Sequence, residues 1–187
     1  MGRASGHRRN AGAVRRHLVL VGLPGSGKST VGRLAAERLG AGFSDLDEIV
    51  ALAAGRSIAD LFAGRGEAEF RRLEQAAMQG ALAAPPHLVA PGAGWIAEPG
   101  NLAAAANAFL LYLKVSPETA ARRLGGGGGP DESRPLLRDG DPVVRLRELA
   151  ERREAWYRRA GRAIDASANP ATVAAEVVAV ARRDAGW

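Results

Sequence analysis

A glycine-rich stretch of eight residues near the start of the chain constrains the fold more than any other feature. Residues Gly22–Ser29 read Gly-Leu-Pro-Gly-Ser-Gly-Lys-Ser and match the pattern G-x-x-x-x-G-K-[ST]. The stretch follows a short apolar run at 17–22, which is typical of a buried strand. It precedes apolar residues at helical spacing over 29–39. A strand, this loop and a helix in that order predict a phosphate-binding loop.

The residue types in the loop explain how it could hold a nucleotide. Its glycines let successive N–H groups turn inward around a β-phosphate, and the N-terminus of the next helix adds a favourable dipole. Lys28 can reach the β- and γ-phosphate oxygens, and the Ser29 hydroxyl can bind Mg²⁺. The predicted nucleotide-binding residues of this segment are Gly22, Gly25, Ser26, Gly27, Lys28, Ser29 and Thr30.

Strand and helix patterns alternate along the rest of the chain. The predicted strands are 17–22, 43–47, 88–91, 108–115 and 163–165, and the predicted helices are 29–39, 57–63, 67–82, 142–161 and 170–183, with a further helix beginning at Pro117. This alternation favours a parallel sheet covered by helices on both faces. A length of 187 residues is enough for one domain with a real core.

Two acidic residues follow the second predicted strand. Asp45 and Asp47 are two positions apart, so on a strand both would point to the same side. The carboxyl edge of a parallel sheet is where ligands bind, and two carboxylates there could steady Mg²⁺ and accept a proton from an attacking hydroxyl. The alternative is that Asp47 caps a helix that begins at Glu48.

The positive charge of the chain is concentrated at one end. The net charge is +6, but residues 1–16 contain five arginines and no acidic residue, so the remainder is nearly neutral. We expect residues 1–16 to be a disordered basic arm, and 17–187 to be the folded domain. The composition therefore does not favour nucleic-acid binding. The absence of cysteine fits a reducing compartment, and no apolar run approaches the roughly 20 residues that span a bilayer.

A second glycine-rich segment lies at 124–137. It contains five consecutive glycines and a proline, so it predicts neither helix nor strand, and either a linker or an active-site lid would fit. Arginines flank it on both sides, at Arg122, Arg123 and Arg134. Charged groups beside a flexible segment favour the lid.

Several short motifs occur in a fixed order along the chain. They are the loop Gly22–Ser29, Asp45-Leu46-Asp47, Gly55-Arg56-Ser57-Ile58-Ala59-Asp60, Gly66-Glu67 with Phe70-Arg71 and Glu74, Arg134-Pro135-Leu136-Leu137, and Arg153 with Tyr157. Together they closely resemble the shikimate kinase family from about Leu18 to Arg183. The resemblance implies an α/β three-layer fold of the nucleoside-monophosphate-kinase type, with a five-stranded parallel sheet, a substrate-binding region at about 46–83 and a mobile lid. It also implies transfer of the ATP γ-phosphate to the 3-hydroxyl of shikimate, with Mg²⁺, by a cytoplasmic monomer that binds no nucleic acid and no membrane.

The same resemblance implies a role for each matching residue. Lys28, Asp47 and Arg134 would be catalytic, with Asp47 as the base and Arg134 swinging in with the lid. Ser29 and Asp45 would serve the metal, and Arg123 would lie near the nucleotide. The implied acceptor-binding residues are Asp47, Arg71, Gly92, Ala93, Gly94 and Arg153. Glu74 would orient Arg71, and Ile58, Phe62 and Phe70 would form the apolar wall of the acceptor pocket.

Two segments depart from the family pattern. A run of three glycines appears here as Gly92-Ala93-Gly94, so a positive φ or a very close ligand at Ala93 would be unfavourable. The segment 166–170 lacks the arginine that the family often has near adenine. Ala93 and the neighbouring Trp95 leave open a kinase for a related cyclic polyol or sugar acid. A catalytically silent nucleotide-binding member of the family is a second alternative, from a different class of function.

Overall fold

A five-stranded sheet forms the centre of the molecule. The computed structural model describes residues 14–125 and 141–187. The strands are β1 (Leu18–Val21), β2 (Phe43–Asp45), β3 (Leu88–Ala90), β4 (Phe109–Lys114) and β5 (Arg162–Asp165). All pairings are parallel and the strand order is β2-β3-β1-β4-β5, which confirms the predicted fold class.

Seven helices connect and flank the strands in the described parts of the chain. They are α1 (Lys28–Leu39), α2 (Leu46–Ala54), α3 (Ile58–Ala83), α4 (Asn101–Ala104), α5 (Pro117–Gly125), α6 (Pro142–Tyr157) and α7 (Pro170–Asp184). A single 3₁₀ turn covers Trp95–Ala97. Neither this turn nor α4 was predicted, because elements of three and four residues are too short to show a hydrophobic period.

Alternate side chains of the strands bury into two separate cores. On β1, Leu18 and Leu20 pack against α1 and α7, whereas Val19 and Val21 face α3, the 3₁₀ turn and α6. In the sequence, parallel strands that are buried on both faces appear as continuous apolar runs, as β1 and β4 do here. The result is three layers, with helices on both faces of the sheet.

Three predicted boundaries differ from the structure by more than one residue. The strand predicted to reach Asp47 ends at Asp45, because α2 begins at Leu46. The two helices predicted on either side of Gly66 form one element, α3, that is broken at Gly66 by a φ of 78°. The helix predicted to end at Gly161 ends at Tyr157.

The described ends of the chain contact each other. The Arg16 guanidinium donates to the Asp184 carbonyl over 2.8 Å, and Arg15 lies over the Trp187 ring at 4.6 Å. These two arginines therefore pack onto the domain, although they were assigned to the arm. Residues 1–13, and all but two residues of the predicted lid, lie outside the described residues. Among the described residues, no helix is long and apolar enough to cross a membrane.

Candidate active site

The phosphate-binding loop connects the end of β1 to the start of α1. Gly25 has a φ of 76°, and a Cβ atom there would lie 2.6 Å from the Ala120 carbonyl oxygen, so glycine is required. The Lys28 ammonium donates to the carbonyls of Gly22 and Leu23, each over 3.1 Å, which holds it across the loop. Ser26 is fully buried beneath the loop. The local geometry is that of a cradle for an anionic group.

A cleft of about 520 Å³ opens beside this loop. Its lining residues are Gly25, Gly27, Lys28, Ser29, Thr30, Val31, Asp45, Asp47, Ala90, Pro91, Arg123, Ala166, Ala168, Pro170 and Val173. The parallel order of the sheet explains the grouping, because the loops after β1, β2 and β3 leave the same edge. Most residues predicted to bind the nucleotide and the metal therefore meet in one cleft.

Asp45 and Asp47 reach the cleft differently from the prediction. Asp45 ends β2 and caps α2, where its carboxylate accepts a hydrogen bond from the Asp47 N–H over 3.1 Å. Asp47 lies in the first turn of α2, not on the strand. The alternative in which Asp47 caps a helix beginning at Glu48 is therefore wrong, because the helix begins two residues earlier. Both carboxylates line the cleft.

Arg71 lies in α3 and is surrounded by three carboxylates. Its Nη1 is 2.8 Å from Glu74, its Nη2 is 2.9 Å from Glu67, and its Nε is 3.3 Å from Glu98. Burial alone would lower the pKa of Arg71, but these carboxylates raise it above its ordinary value, so the group stays cationic. Burial raises the pKa of the Glu74 carboxyl, with Arg71 opposing the rise.

The loop after β3 lies between these charged groups. A Cβ atom on Gly92 would be 2.5 Å from Glu74 Oε1 and 3.2 Å from Asp47 Oδ1. A Cβ atom on Gly94 would be 2.6 Å from Arg71 Nη2. These two glycines therefore lie close to three side chains from α2 and α3. Asp47, Arg71, Gly92 and Gly94 are thus near one another; that they bind an acceptor stays a prediction.

Helix α6 is bonded to the same loop at Ala93, and it also carries Arg153. Ala93 does not have a positive φ, so its Cβ causes no backbone strain. Its carbonyl accepts a hydrogen bond from the Tyr157 hydroxyl over 2.9 Å. Arg153 lies one turn before Tyr157, and its Nη1 is buried without a hydrogen-bond partner among the described residues. A buried guanidinium N–H of this kind is suited to an anionic ligand.

Comparison with known proteins identifies the family. The shikimate kinase family model matches residues 24–182. The shikimate kinase of Mycobacterium tuberculosis (strain ATCC 25177 / H37Ra) is 45% identical over 141 residues, which cover 75% of this chain and 78% of that protein. The chain belongs to the shikimate kinase family.

Solved structures agree with this assignment. A shikimate kinase from Acinetobacter baumannii in complex with shikimate superposes with a TM-score of 0.84 at 28% identity, over 92% of this chain and 96% of that one. A gluconokinase from Sinorhizobium meliloti superposes with a TM-score of 0.60 at 20% identity, over 92% of this chain and 94% of that one, and shares the fold alone.

Several predicted residues of this shikimate kinase family member lie outside the cleft or outside the described chain. Arg134 is not among the described residues. Arg71 and Arg153 do not line the cleft. Asp47 does line it, and Asp47 also lies near the loop after β3, which is close to Arg71. Ile58, Phe62 and Phe70 pack with one another and with Val50 and Leu61, and the Phe62 and Phe70 rings lie 4.9 Å apart.

Two further side chains at the acceptor end were not predicted as site residues. Glu98 follows the 3₁₀ turn, 27 residues after Arg71, and no spacing rule links the two. Tyr157 was noted only as part of a motif, since a tyrosine on an amphipathic helix is most simply a core residue. Trp95 is 1% exposed and belongs to the core, as expected of a packing residue.

The end of the cleft opposite the acceptor is held by Arg123. Its Nη2 donates to the carbonyls of Ala166, Ser167 and Ala168 over 2.8, 3.2 and 3.1 Å. The lining side chains here, those of Ala166, Ala168, Pro170 and Val173, are apolar. Arg123 therefore fixes the backbone of the segment that departs from the family pattern.

The residues predicted to serve Mg²⁺ supply suitable donors. Ser29 offers a hydroxyl and Asp45 a carboxylate, and both line the cleft beside the phosphate-binding loop. One oxygen of Asp45 binds the Asp47 N–H, which leaves the other for a metal or its water. Among the described residues no three acidic, histidine or cysteine side chains form a metal cluster. Such sparse oxygen ligation fits Mg²⁺, which is usually held by one or two protein groups together with substrate phosphates.

Proposed function

We propose that this chain transfers the γ-phosphoryl group of ATP to the 3-hydroxyl of shikimate. Family membership supports the reaction and the use of ATP. The observation that carries the proposal is the position of Asp47, which lies between the phosphate-binding loop and the predicted acceptor-binding residues. This carboxylate lines the cleft beside the phosphate-binding loop, and its Oδ1 would be only 3.2 Å from a Cβ atom on Gly92, so it also lies close to the loop after β3.

The nucleotide half holds the triphosphate. The N–H groups of 22–29 would surround the β-phosphate, and Lys28 would exchange its contacts with the Gly22 and Leu23 carbonyls for phosphate oxygens. Mg²⁺ bound at Ser29 and Asp45 would neutralise charge on the phosphates. Arg123 would lie beside the base, on the segment that its hydrogen bonds hold in place.

The acceptor half matches a small polyol that carries one carboxylate. Arg71 and Arg153 would bind the carboxylate, because planar guanidinium groups donate paired hydrogen bonds to it. The Glu74 carboxylate is 1% exposed and 2.8 Å from Arg71, so it would hold the guanidinium in a fixed orientation. The backbone of Gly92, Ala93 and Gly94 would contact the ring of the acceptor.

Asp47 would accept the proton of the attacking hydroxyl. It lies where the two halves meet, and a base at this point needs only hydrogen-bond distance to the acceptor oxygen. Phosphoryl transfer requires little covalent chemistry from the protein, so placing the hydroxyl in line with the γ-phosphate is the main task. Arg134 and a lid at 124–137 would complete the site and exclude water.

The remaining alternatives have less support. Ala93 motivated a different cyclic polyol or sugar acid, but its φ is not positive, so the argument from backbone strain does not hold. A silent family member would have no reason to keep Lys28, Asp45, Asp47 and Arg71 together. We therefore propose the active enzyme, acting as a monomer in the cytoplasm.

A coupled assay of ADP release tests the proposal. We expect release that depends on both ATP and shikimate, with phosphorus NMR showing a phosphate ester on the 3-hydroxyl. Quinate and gluconate serve as comparison acceptors, because each is a polyol with one carboxylate. No shikimate-dependent release at millimolar acceptor would overturn the proposal. A higher kcat/KM for either comparison acceptor would favour the alternative kinase.

A further inference from the structure

The Tyr157 hydroxyl lies between two parts of the acceptor end that are distant in sequence. It donates to the Ala93 carbonyl over 2.9 Å, which joins α6 to the loop after β3. The side chain is fully buried, and its ring stacks on Tyr112 with centroids 4.8 Å apart. The hydroxyl is therefore a buried polar group whose position is fixed by the rings around it.

The protonation state of Tyr157 suits a permanent donor. Burial raises the pKa of Tyr157 to about 12, even though the nearby Arg153 guanidinium acts in the opposite direction. At neutral pH the hydroxyl keeps its proton and donates a hydrogen bond to the Ala93 carbonyl.

Among the described residues, the Arg153 guanidinium has little else that would hold its orientation. Its Nη1 is buried and has no hydrogen-bond partner among the described residues. None of the ion pairs within the described residues involves Arg153, whereas Arg71 has three. Arg153 and Tyr157 are four residues apart on α6, so the two side chains lie on the same face of the helix.

We propose that Tyr157 is a positioning residue for acceptor recognition: its hydroxyl fastens the Ala93 carbonyl to α6, the helix that carries Arg153 one turn earlier. The inference rests on the proposed function, since Arg153 matters only if the acceptor is an anion. Tyr157 does not touch the acceptor. It holds the loop 92–94 and Arg153 at a fixed distance from each other, so that both can contact the same carboxylated ring.

Two matched variants test the inference. Tyr157→Phe removes the hydroxyl and keeps the stacked ring. Tyr112→Phe is the control, because it removes the hydroxyl of the other ring in the stack, which donates to Glu154 over 3.0 Å and does not contact the loop. For each variant the assay gives kcat, the KM for shikimate and the KM for ATP, and thermal unfolding gives the stability.

Tyr157→Phe is expected to raise the KM for shikimate about fivefold or more, because a buried carbonyl loses its donor and Arg153 its neighbour. The KM for ATP should stay within about twofold, since the phosphate-binding loop is not altered. Tyr112→Phe should lower the melting temperature similarly and leave both KM values within about twofold. Equal effects of the two variants, or a KM for shikimate unchanged in Tyr157→Phe, would overturn the inference.

A measurement without substrate separates this inference from the proposed function. Hydrogen exchange of the loop 92–95 reports directly on its anchoring, because the Trp95 N–H is bonded to the Gly92 carbonyl. Exchange there should be at least about tenfold faster in Tyr157→Phe than in the wild type, and unchanged in Tyr112→Phe. Unaltered exchange in Tyr157→Phe overturns the inference even if the wild-type protein phosphorylates shikimate. If shikimate is not a substrate, only the proposed function fails.

Discussion

The phosphate end and the acceptor end of the site are built in different ways. The phosphate end is one continuous stretch, 22–29, which would offer backbone N–H groups and one lysine to a phosphate. The acceptor end combines α2, α3, the loop after β3 and α6, and depends on side chains. Backbone recognition needs only a local conformation, whereas side-chain recognition needs several elements to pack correctly.

This difference has an electrostatic counterpart. At the phosphate end, Lys28 is held by neutral carbonyls, which a phosphate can replace. At the acceptor end, Arg71 already has three carboxylate neighbours, so an anionic acceptor must share it with them. The carboxylates around Arg71 are thus already in place, and an anion would compete with them.

The largest effect is expected where the two ends meet. Asp47→Asn keeps the size of the side chain and removes the base, so kcat should fall by about 10²–10⁴-fold. Glu48→Gln is the control, because Glu48 is the next residue on α2 and forms an exposed ion pair with Arg33. Steady-state kinetics of both variants check the prediction. A kcat for Asp47→Asn within about threefold of the wild type would show that Asp47 is not the base.

A methyl group at Gly94 should damage the acceptor end alone. The Cβ in Gly94→Ala would lie 2.6 Å from Arg71 Nη2, and Glu74 and Glu67 restrain the guanidinium, so it must shift out of position. We expect the KM for shikimate to rise by about tenfold or more, with the KM for ATP nearly unchanged. Gly80→Ala is the control, since a Cβ atom there contacts nothing within 4 Å. A matching rise in the KM for ATP would mean that the two ends are not separable.

Neutralising one of the three carboxylates around Arg71 should improve acceptor binding. Glu98 is 3.3 Å from Arg71 Nε and is one-third exposed, so it competes with an anionic acceptor at little structural gain. Glu98→Gln is expected to lower the KM for shikimate about threefold, because the acceptor then meets less negative charge. Glu69→Gln is the control for net charge, as Glu69 pairs with the exposed Arg72. A higher KM in Glu98→Gln would show instead that Glu98 orients Arg71.

The base end of the cleft is expected to discriminate only weakly between nucleotides. Arg123 already occupies three backbone carbonyls there, and the lining side chains of the described residues are apolar. A site without hydrogen-bonding side chains discriminates weakly between bases. We expect the kcat/KM for GTP to lie within about tenfold of that for ATP. A preference for ATP of more than about 100-fold would show that this segment reads the base.

The sequence predicted the parts of the molecule that depend on neighbouring residues. The loop 22–29 was recognisable because its function comes from glycines, one lysine and one serine in a row, between a strand and a helix. Alternating strands and helices gave the parallel sheet for the same reason. The side of α2 on which Asp47 lies was not predictable, because a one-residue change in the helix start decides it.

The tertiary structure alone decided how the acceptor end is assembled. The contacts of Arg71 with Glu98, and of Ala93 with Tyr157, join residues 27 and 64 positions apart, and no local pattern specifies them. The packing of α3 and α6 on one face of the sheet brings these groups together. Local propensity is enough to form the eight-residue loop 22–29. The distance between Arg71 on α3 and Arg153 on α6 is instead set by how the buried side chains of these helices pack.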